Sequence, residues 1–257
     1  MTPEPRSVLI TGAASGIGKH YAETYGKANI PVAALDINQD ALNTLSDKYT
    51  SITPFAVDMT DAHAVQEVVT QALELHNSFD RVINAAAIMP CGNILSQETS
   101  QIHKIMDINY GGLVNLTKAI LPAMIKQGSG QFIVFSSMLG VMPTLKTGAY
   151  SASKFATSVF VEVLAQENKA SGVQFACVCP PAVNTPLLDQ VRETQWPKIM
   201  DETPIITIED VTKAIEKGLK KGRFWIYPGK TTYIGSLMRR LFPEAVWKHI
   251  QKVEQKV

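Results

Sequence analysis

Short apolar runs alternate with longer amphipathic segments along the whole chain. Seven of these runs, rich in β-branched and other apolar residues, predict strands at 7–11, 31–35, 52–57, 81–84, 131–136, 173–179 and 223–227. The runs show little alternation of apolar and polar positions, which is typical of strands covered by helices on both faces. The pattern therefore predicts a buried, parallel sheet.

Segments of helical length fill the intervals between these strands. They lie at 17–28, 39–47, 61–75, 98–126, 149–170 and 208–220. Two begin at capping signals, Thr60 before Asp61 and Thr207 with Asp210 three residues later. The alternation predicts a Rossmann-like α/β fold: a doubly wound, parallel seven-stranded sheet with helices on both faces, in a single domain. Its ligand crevice would lie beyond the carboxyl ends of the strands.

Composition and charge limit the classes of function that fit the chain. A chain of 257 residues, 46% apolar and 18% charged, is long enough for one large globular domain. The net charge of +1 gives no reason to expect a nucleic acid partner. The N-terminal residues lack the apolar core of a signal peptide, so we expect a cytoplasmic protein. Cys91, Cys177 and Cys179 lack metal-ligand spacing, so we predict no metal site. Cys177 and Cys179 lie on one face of a predicted buried strand, and we interpret these two as small core residues.

A glycine-rich turn follows the first predicted strand and opens a helix. It contains Gly12, Ser15, Gly16, Ile17 and Gly18. Glycines let the backbone approach a pyrophosphate, and the helix N-terminus supplies N–H donors and positive potential. The turn therefore predicts the diphosphate site of a dinucleotide.

Carboxylates end the second and third predicted strands. Asp36, about 20 residues beyond the glycine turn, can accept hydrogen bonds from both ribose hydroxyls of NAD and would repel a 2′-phosphate. No arginine for that phosphate occurs at Ser15 or Ile37, so the sequence favours NAD over NADP. Asp58 and Met59 are placed to hold the adenine edge. A turn role for Asp36 and a helix-capping role for Asp58 are the alternatives.

Tyr150 and Lys154 are spaced to lie one helical turn apart. A free phenol has a pKa near ~10, which makes it a weak base at neutral pH. A neighbouring ammonium favours the phenolate, and a shift of roughly three pKa units requires about 4 kcal/mol. The spacing therefore predicts a phenol whose pKa is lowered by Lys154, although the pair on its own also fits a chance surface arrangement.

The chain resembles the short-chain dehydrogenase/reductase family, in its shorter, non-extended branch, over roughly residues 7–231. The motifs that carry the resemblance are 11–18, Asp58, 84–87, Asn109, Ser136 with Ser137, Tyr150 with Lys154, and 180–185. Their common order along the predicted strands makes the resemblance specific. It implies an enzyme that interconverts a secondary alcohol and a ketone with a nicotinamide cofactor.

The resemblance also implies roles for individual residues. Tyr150 is the implied catalytic acid/base, Lys154 the ligand of the nicotinamide ribose, and Ser137 the donor to the reacting oxygen. Asn109 would anchor a water in the proton relay to Lys154. Asn109 as an ordinary helix residue and Ser137 as a cap are the alternatives. The remaining implied cofactor contacts are Asn84, Ala85, Ala86, Pro180, Val183 and Thr185, the last of which also fits a plain turn residue.

Two segments depart from the family pattern. Residues 84–87 read Asn-Ala-Ala-Ala where the family has Asn-Asn-Ala-Gly, and Pro181 replaces the usual glycine after the sixth strand. The first change removes a side-chain contact, and the second removes an N–H near the nicotinamide. We expect cofactor binding to survive both.

The substrate is predicted from apolar residues near the implied catalytic groups. These are Met138, Leu139 and Leu145, together with Leu188 and Trp196 in a loop at 186–206. Such a wall suits a steroid-, lipid- or terpenoid-like alcohol or ketone, although half of these residues can equally serve to pack the loop. The alternatives are an NADPH-dependent carbonyl reductase, with Lys19 near the phosphate, and a non-catalytic NAD-binding regulatory protein.

The sequence divides into an NAD-binding domain at 1–229 and a basic extension at 230–257. The extension holds six Lys/Arg and two Glu, and its apolar stripe is Val246, Ile250, Val253 and Val257. A basic amphipathic helix can rest on an anionic membrane, but we favour packing on the same domain. The resemblance further implies a homodimer or homotetramer formed through the long helices that hold Asn109 and Tyr150.

Overall fold

A parallel sheet of seven strands forms the centre of the structure, a computed structural model that describes residues 5–255 apart from the Lys230 side chain. The strand order is β3-β2-β1-β4-β5-β6-β7. The strands are β1 Val8–Thr11, β2 Val32–Asp36, β3 Ile52–Ala56, β4 Arg81–Asn84, β5 Gly130–Phe135, β6 Val173–Val178 and β7 Trp225–Ile226. All neighbouring pairs are parallel, which confirms the predicted fold class.

Helices connect the strands and cover both faces of the sheet. They are α1 Gly16–Lys27, α2 Gln39–Lys48, α3 Ala62–His76, α4 Thr99–Met106, α5 Gly112–Gln127, α6 Gly148–Glu167, α7 Pro186–Glu193, α8 Ile208–Lys220, α9 Lys230–Leu241 and α10 Pro243–Glu254. The single helix predicted at 98–126 is divided into α4 and α5 by a π-helical turn at Asp107–Gly111. The glycines at 111 and 112 weaken the α-helix there.

The two predicted caps have different outcomes. Thr207 and Asp210 form the predicted capping box at the start of α8. The prediction for Thr60 was wrong, because the cap of α3 is Asp61, whose carboxylate accepts hydrogen bonds from the N–H groups of His63 and Ala64 at 3.0 Å. Thr60 instead donates its hydroxyl to Asp58.

Successive residues of each strand pack on opposite faces, which explains the continuous apolar runs. In β1, Val8 and Ile10 face a cluster formed with α1, α2 and α8. Leu9 faces the other cluster, formed with α3, α5 and α6. Both faces are covered, so neither set of side chains meets water.

The strand order reverses direction between β1 and β4. β1 pairs with β2 on one side and with β4 on the other, and Thr11 lies opposite Asn84. The connections that leave these two strands diverge, so a crevice opens beyond their carboxyl ends. This is the edge of the sheet where the sequence predicts the ligand site.

The C-terminal extension folds as α9 and α10. Ile250 and Val253 of the predicted stripe are buried and Val246 is half-buried, whereas Val257 lies outside the described residues. Glu254 of α10 forms an ion pair with Lys146, which lies just before α6, at 2.8 Å. A boundary at residue 229 stays a prediction. No helix in the described part of the chain is both long and apolar enough to cross a bilayer.

Candidate active site

One cavity of about 550 Å³ runs along the carboxyl edge of the sheet. It extends from the glycine turn to Tyr150 and Lys154 of α6. The predicted site residues that line it are Gly12, Ser15, Gly16, Ile17, Gly18, Asp36, Asp58, Met59, Ala85, Ala86, Ser137, Met138, Leu139, Tyr150, Lys154, Pro180, Val183, Thr185 and Leu188. Four other predicted residues, Asn84, Asn109, Leu145 and Trp196, lie outside its lining.

The glycine turn is shaped by positions that no side chain fits. Gly12 and Gly16 have φ values of +67° and +51°, in the left-handed region. A Cβ on Gly12 would lie 2.8 Å from the backbone nitrogen of Ala86, and one on Gly18 would collide with the carbonyl of Gly12. Ser15 at the start of α1 makes no side-chain cap bond, so the first N–H groups of the helix remain available to a ligand.

Asp36 holds its position through two backbone hydrogen bonds. Its two oxygens accept from the N–H groups of Ala14 and Asn38, each at 3.0 Å. Asp36 therefore stabilises the turn and also lines the cavity. A carboxylate oxygen accepts more than one hydrogen bond, so capacity for a ligand remains. Asp58 also lines the cavity and binds Thr60 at 2.9 and 2.8 Å rather than capping α3.

Asn84 does not reach the cavity, contrary to the sequence prediction. It is buried, and its side-chain oxygen accepts the hydroxyl hydrogen of Thr11 at 2.9 Å. The same threonine hydroxyl accepts from the N–H of Ala86 at 3.3 Å. Asn84 thus ties the end of β4 to the end of β1 and acts on the cavity only through the loop that follows it.

Asn109 is likewise buried and lies on the π-helical turn. Its amide group donates to the carbonyl of Ile88 and to the hydroxyl of Ser153, both at 3.0 Å, and accepts from the N–H of Ile88 at 2.9 Å. Both amide hydrogens are used by the protein. The side chain therefore joins the loop after β4 to α6, next to Lys154, and its role in a proton relay stays a prediction.

Ser137, Tyr150 and Lys154 converge at the centre of the cavity. Ser137 follows β5, and its hydroxyl accepts from the N–H of Leu139 at 3.1 Å. The Lys154 ammonium lies 5.8 Å from the centroid of the Tyr150 ring and donates to the carbonyl of Phe135 at 2.9 Å. The hydroxyl of Ser136 turns away and donates to the carbonyl of Lys154 at 3.0 Å.

Burial dominates the electrostatics of these groups. It raises the pKa of the Tyr150 phenol well above its usual value, and a hydrogen bond with Ser137 offsets only part of the rise. Burial also lowers the pKa of Lys154 to about 8. The spacing predicted a lowered phenol pKa, and that direction was wrong for the protein's own groups. The desolvation cost of a buried phenolate outweighs the protein groups that would stabilise it.

Several residues that the sequence did not assign complete the apolar half of the cavity. They include Met89, Thr144, Gln190, Thr232, Gly235 and Ile250. The apolar stripe of α10 predicted burial of Ile250 but gave no sign that it would reach the cavity. Gln190 had no signal at all, and its side-chain oxygen accepts from the N–H of Met89 at 2.8 Å.

Leu145 and Trp196 are corrections to the predicted substrate wall. The Trp196 indole N–H donates to Asp201 at 2.8 Å, and its ring packs against Arg192 and the cluster under the loop. This residue therefore stabilises the loop instead of facing the cavity. Leu145 is half-buried, and its neighbour Thr144 lines the cavity instead.

Comparison with known proteins agrees with this geometry. A family model described as short chain dehydrogenase matches residues 6–196. The chain belongs to the short-chain dehydrogenase/reductase family. It is therefore an oxidoreductase of that family, and the resemblance seen in the motifs is confirmed.

Relatives within the short-chain dehydrogenase/reductase family match over most of the chain. Oxidoreductase UcpA of Salmonella typhimurium is 33% identical over 218 residues, covering 82% of this chain and 80% of that protein. Dehydrogenase/reductase SDR family member 7B of Danio rerio is 31% identical over 258 residues, covering 93% and 82%.

Solved structures share the fold at lower identity. A short-chain dehydrogenase from Streptomyces avermitilis superposes with a TM-score of 0.83 at 24% identity, covering 98% of both chains. A Burkholderia phymatum member solved in complex with NAD gives 0.83 at 20% identity, covering 93% of this chain and 94% of that one. A Burkholderia cenocepacia member solved with NADP gives 0.80 at 21% identity, covering 95% and 96%.

Proposed function

We propose that the protein is an NAD-dependent dehydrogenase that interconverts an apolar secondary alcohol and the corresponding ketone. The observation that carries this proposal is the convergence of Ser137, Tyr150 and Lys154 in one cavity. The three side chains stand where a polar half, shaped by the glycine turn and Asp36, meets an apolar half rich in methionine and leucine.

The polar half fits a nicotinamide dinucleotide. The left-handed glycines Gly12 and Gly16 and the uncapped start of α1 form a cradle for the diphosphate. Asp36 would hold the adenosine ribose, and Val183 and Thr185 would hold the carboxamide. The bound cofactor supplies the acceptor or donor of the hydride.

The choice of NAD over NADP rests on charge. The Asp36 carboxylate at the cavity wall would repel a 2′-phosphate. Lys19, the base considered for NADP, is exposed on α1 and is not part of the cavity lining. Relatives of this fold have been solved with either cofactor, so the comparison alone leaves the choice to these residues.

The protein's part in the reaction is to position the substrate and to move one proton. In oxidation the Tyr150 phenolate removes the hydroxyl proton of the alcohol, and in reduction the phenol returns a proton to the carbonyl oxygen. Ser137 donates a hydrogen bond to the same oxygen. Lys154 holds the ribose and stabilises the phenolate by its charge, which offsets part of the cost of burial.

The apolar half favours a hydrophobic substrate. Met138, Leu139 and Leu188 form part of its wall. Among the described residues that line the cavity, Lys154 is the sole cation, and the proposed mechanism uses it for the ribose. A carboxylate on the substrate would therefore be buried without a partner, which is costly.

A substrate panel tests this proposal. Long-chain secondary alcohols, hydroxysteroids and short hydroxy acids are each supplied with NAD or NADP, and the ultraviolet absorbance of the reduced cofactor is followed. We expect turnover of the apolar alcohols with NAD. Turnover of hydroxy acids alone would contradict the apolar assignment, and a preference for NADP would identify the carbonyl reductase alternative. Binding of NAD without turnover of any alcohol would favour the regulatory alternative.

A further inference from the structure

Helix α9 presents an exposed apolar face to solvent, referred to below as the α9 face. Its six residues are each between 41% and 58% exposed: Tyr233, Ile234, Leu237, Met238, Leu241 and Phe242. They occur in adjacent pairs four residues apart, so they follow one side of the helix over its full length. Large apolar side chains grouped in this way mark an interaction surface, whereas isolated ones do not.

Packing on the opposite side of α9 fixes this orientation. Thr232 is buried, and its hydroxyl donates to the carbonyl of Pro228 at 2.5 Å. A Cβ on Gly235 would lie 2.7 Å from the terminal carbon of Met138, beside the catalytic centre. The helix therefore cannot rotate its apolar side inward without displacing the cavity wall. Exposure of the α9 face follows from the way the helix seals the cavity.

Exposed basic side chains occur on α9 and on the helix that follows it. Arg240 of α9 and Lys248 and Lys252 of α10 are exposed. Of the two carboxylates in the extension, Glu254 is nearly buried and paired with Lys146, which leaves Glu244 as the exposed acidic side chain. The exposed charge of the described part of the extension is therefore positive.

We propose that the α9 face docks on the surface of an anionic lipid bilayer. The six apolar side chains would enter the boundary between headgroups and acyl chains, while Arg240, Lys248 and Lys252 would contact lipid phosphates. A second copy of the chain is a poorer occupant. A symmetric interface centred on this face would bring the same basic side chains of two copies together, and like charges repel.

Docking of this kind would bring the cavity to the bilayer. Thr231 at the start of α9 is exposed and also lines the cavity, so part of the cavity rim lies at the start of this helix. An apolar substrate could then enter from the lipid without crossing water. This consequence rests on the proposed function, whereas docking itself does not and is tested separately.

Vesicle co-sedimentation of the full chain tests the proposal. The vesicles contain phosphatidylcholine alone or phosphatidylcholine with phosphatidylglycerol. We expect the wild-type chain to sediment with the anionic vesicles, and binding to fall at least about tenfold in the double variant Ile234→Asp with Leu241→Asp. The matched control is Leu75→Asp, at an apolar residue of α3 that is 64% exposed, and it should bind like the wild type.

A second variant changes only basic side chains and therefore tests the electrostatic part of the proposal separately. Arg240→Glu with Lys248→Glu should also lose binding to anionic vesicles, and high salt should reproduce that loss in the wild type. Failure of the wild type to sediment, or equal loss in Leu75→Asp, would overturn the proposal. It would also be overturned if ultracentrifugation showed that the Asp variants dissociate a dimer while vesicles bind nothing, because a second copy would then cover the face.

Discussion

Burial controls the protonation of Tyr150 and Lys154. Because burial raises the pKa of the phenol, the neutral form dominates around neutral pH. In the proposed mechanism only the minor phenolate form oxidises the alcohol. The oxidation rate is therefore predicted to rise with pH. The rise should level off above about pH 8, where Lys154, whose pKa is about 8, loses the charge that stabilises the phenolate. Measurement of kcat/KM against pH in both directions checks this, and an oxidation rate that falls between about pH 6 and 8 would contradict it.

We propose that the choice between NAD and NADP also depends on a single residue, Asp36. Replacement Asp36→Asn keeps the size and one hydrogen-bond acceptor but removes the charge that would repel a 2′-phosphate. We predict that the ratio of NADP to NAD affinity rises by roughly tenfold, equivalent to about 1.4 kcal/mol. Titration of both cofactors measures this ratio. The control Asp40→Asn, on the exposed start of α2, should leave it unchanged, and the same ratio in wild type and Asp36→Asn would contradict the assignment.

Residue chemistry was more predictable than residue contacts. The sequence placed Ser137, Tyr150 and Lys154 at one site, and all three line the cavity, because their spacing and their positions after β5 and on α6 are local features. It did not predict the bonds of Asn84 with Thr11 or of Asn109 with Ile88, because these partners are distant in the chain. A polar side chain near a cleft can bind a ligand or brace the backbone, and the sequence does not distinguish the two.

At the scale of elements, α10 connects the loop at 186–206 to the turn before α6. The Glu254 carboxylate pairs with Lys146 at 2.8 Å and accepts from the N–H of Ile199 at 3.3 Å. Lys146 also donates to the carbonyl of Trp196 at 3.4 Å. The side chain of Glu254 is 8% exposed and that of Lys146 is 20% exposed, so the pair is only weakly screened by solvent.

Replacement Glu254→Gln should loosen this junction. Removing one charge of a largely buried pair leaves the other uncompensated, so we predict a loss of about 1–3 kcal/mol in the free energy of unfolding. The KM for the alcohol should rise while NAD affinity stays the same, because the loop faces the apolar half. Denaturant unfolding and steady-state kinetics measure both effects. The control Glu244→Gln, exposed on the same helix, should change neither the free energy of unfolding nor KM. An unchanged KM in Glu254→Gln would contradict the role assigned to α10.

Element prediction failed where tertiary contacts overrule local pattern. The helix predicted at 98–126 is interrupted by the π-helical turn at Asp107–Gly111, where Asn109 bonds with the peptide groups of Ile88 and where the two glycines weaken the α-helix. In the extension, the stripe on α10 is largely buried, while the exposed apolar side chains lie on α9. Apolar periodicity indicates that a helix has an apolar face, but it does not show whether that face is buried or exposed. The packing of the opposite side of the helix decides this.

For the whole molecule, the alternation of strands and helices was sufficient to predict the fold class and the edge of the sheet that carries the cavity. Parallel order and burial of both faces follow from apolar runs without alternation. The apolar wall was less predictable: Leu188 lines the cavity, whereas Trp196, eight residues later in the same loop, packs beneath it. Loop conformation depends on contacts made after the sheet is formed.

The central claim is that the Tyr150 phenol exchanges a proton with the substrate beside a bound nicotinamide. The most direct measurement compares the turnover and NAD affinity of Tyr150→Phe with those of the wild type, with Tyr110→Phe as the matched control. We predict that turnover falls by about 10³-fold or more, while the dissociation constant for NAD stays within about twofold. Turnover near the wild-type rate in Tyr150→Phe would contradict the account.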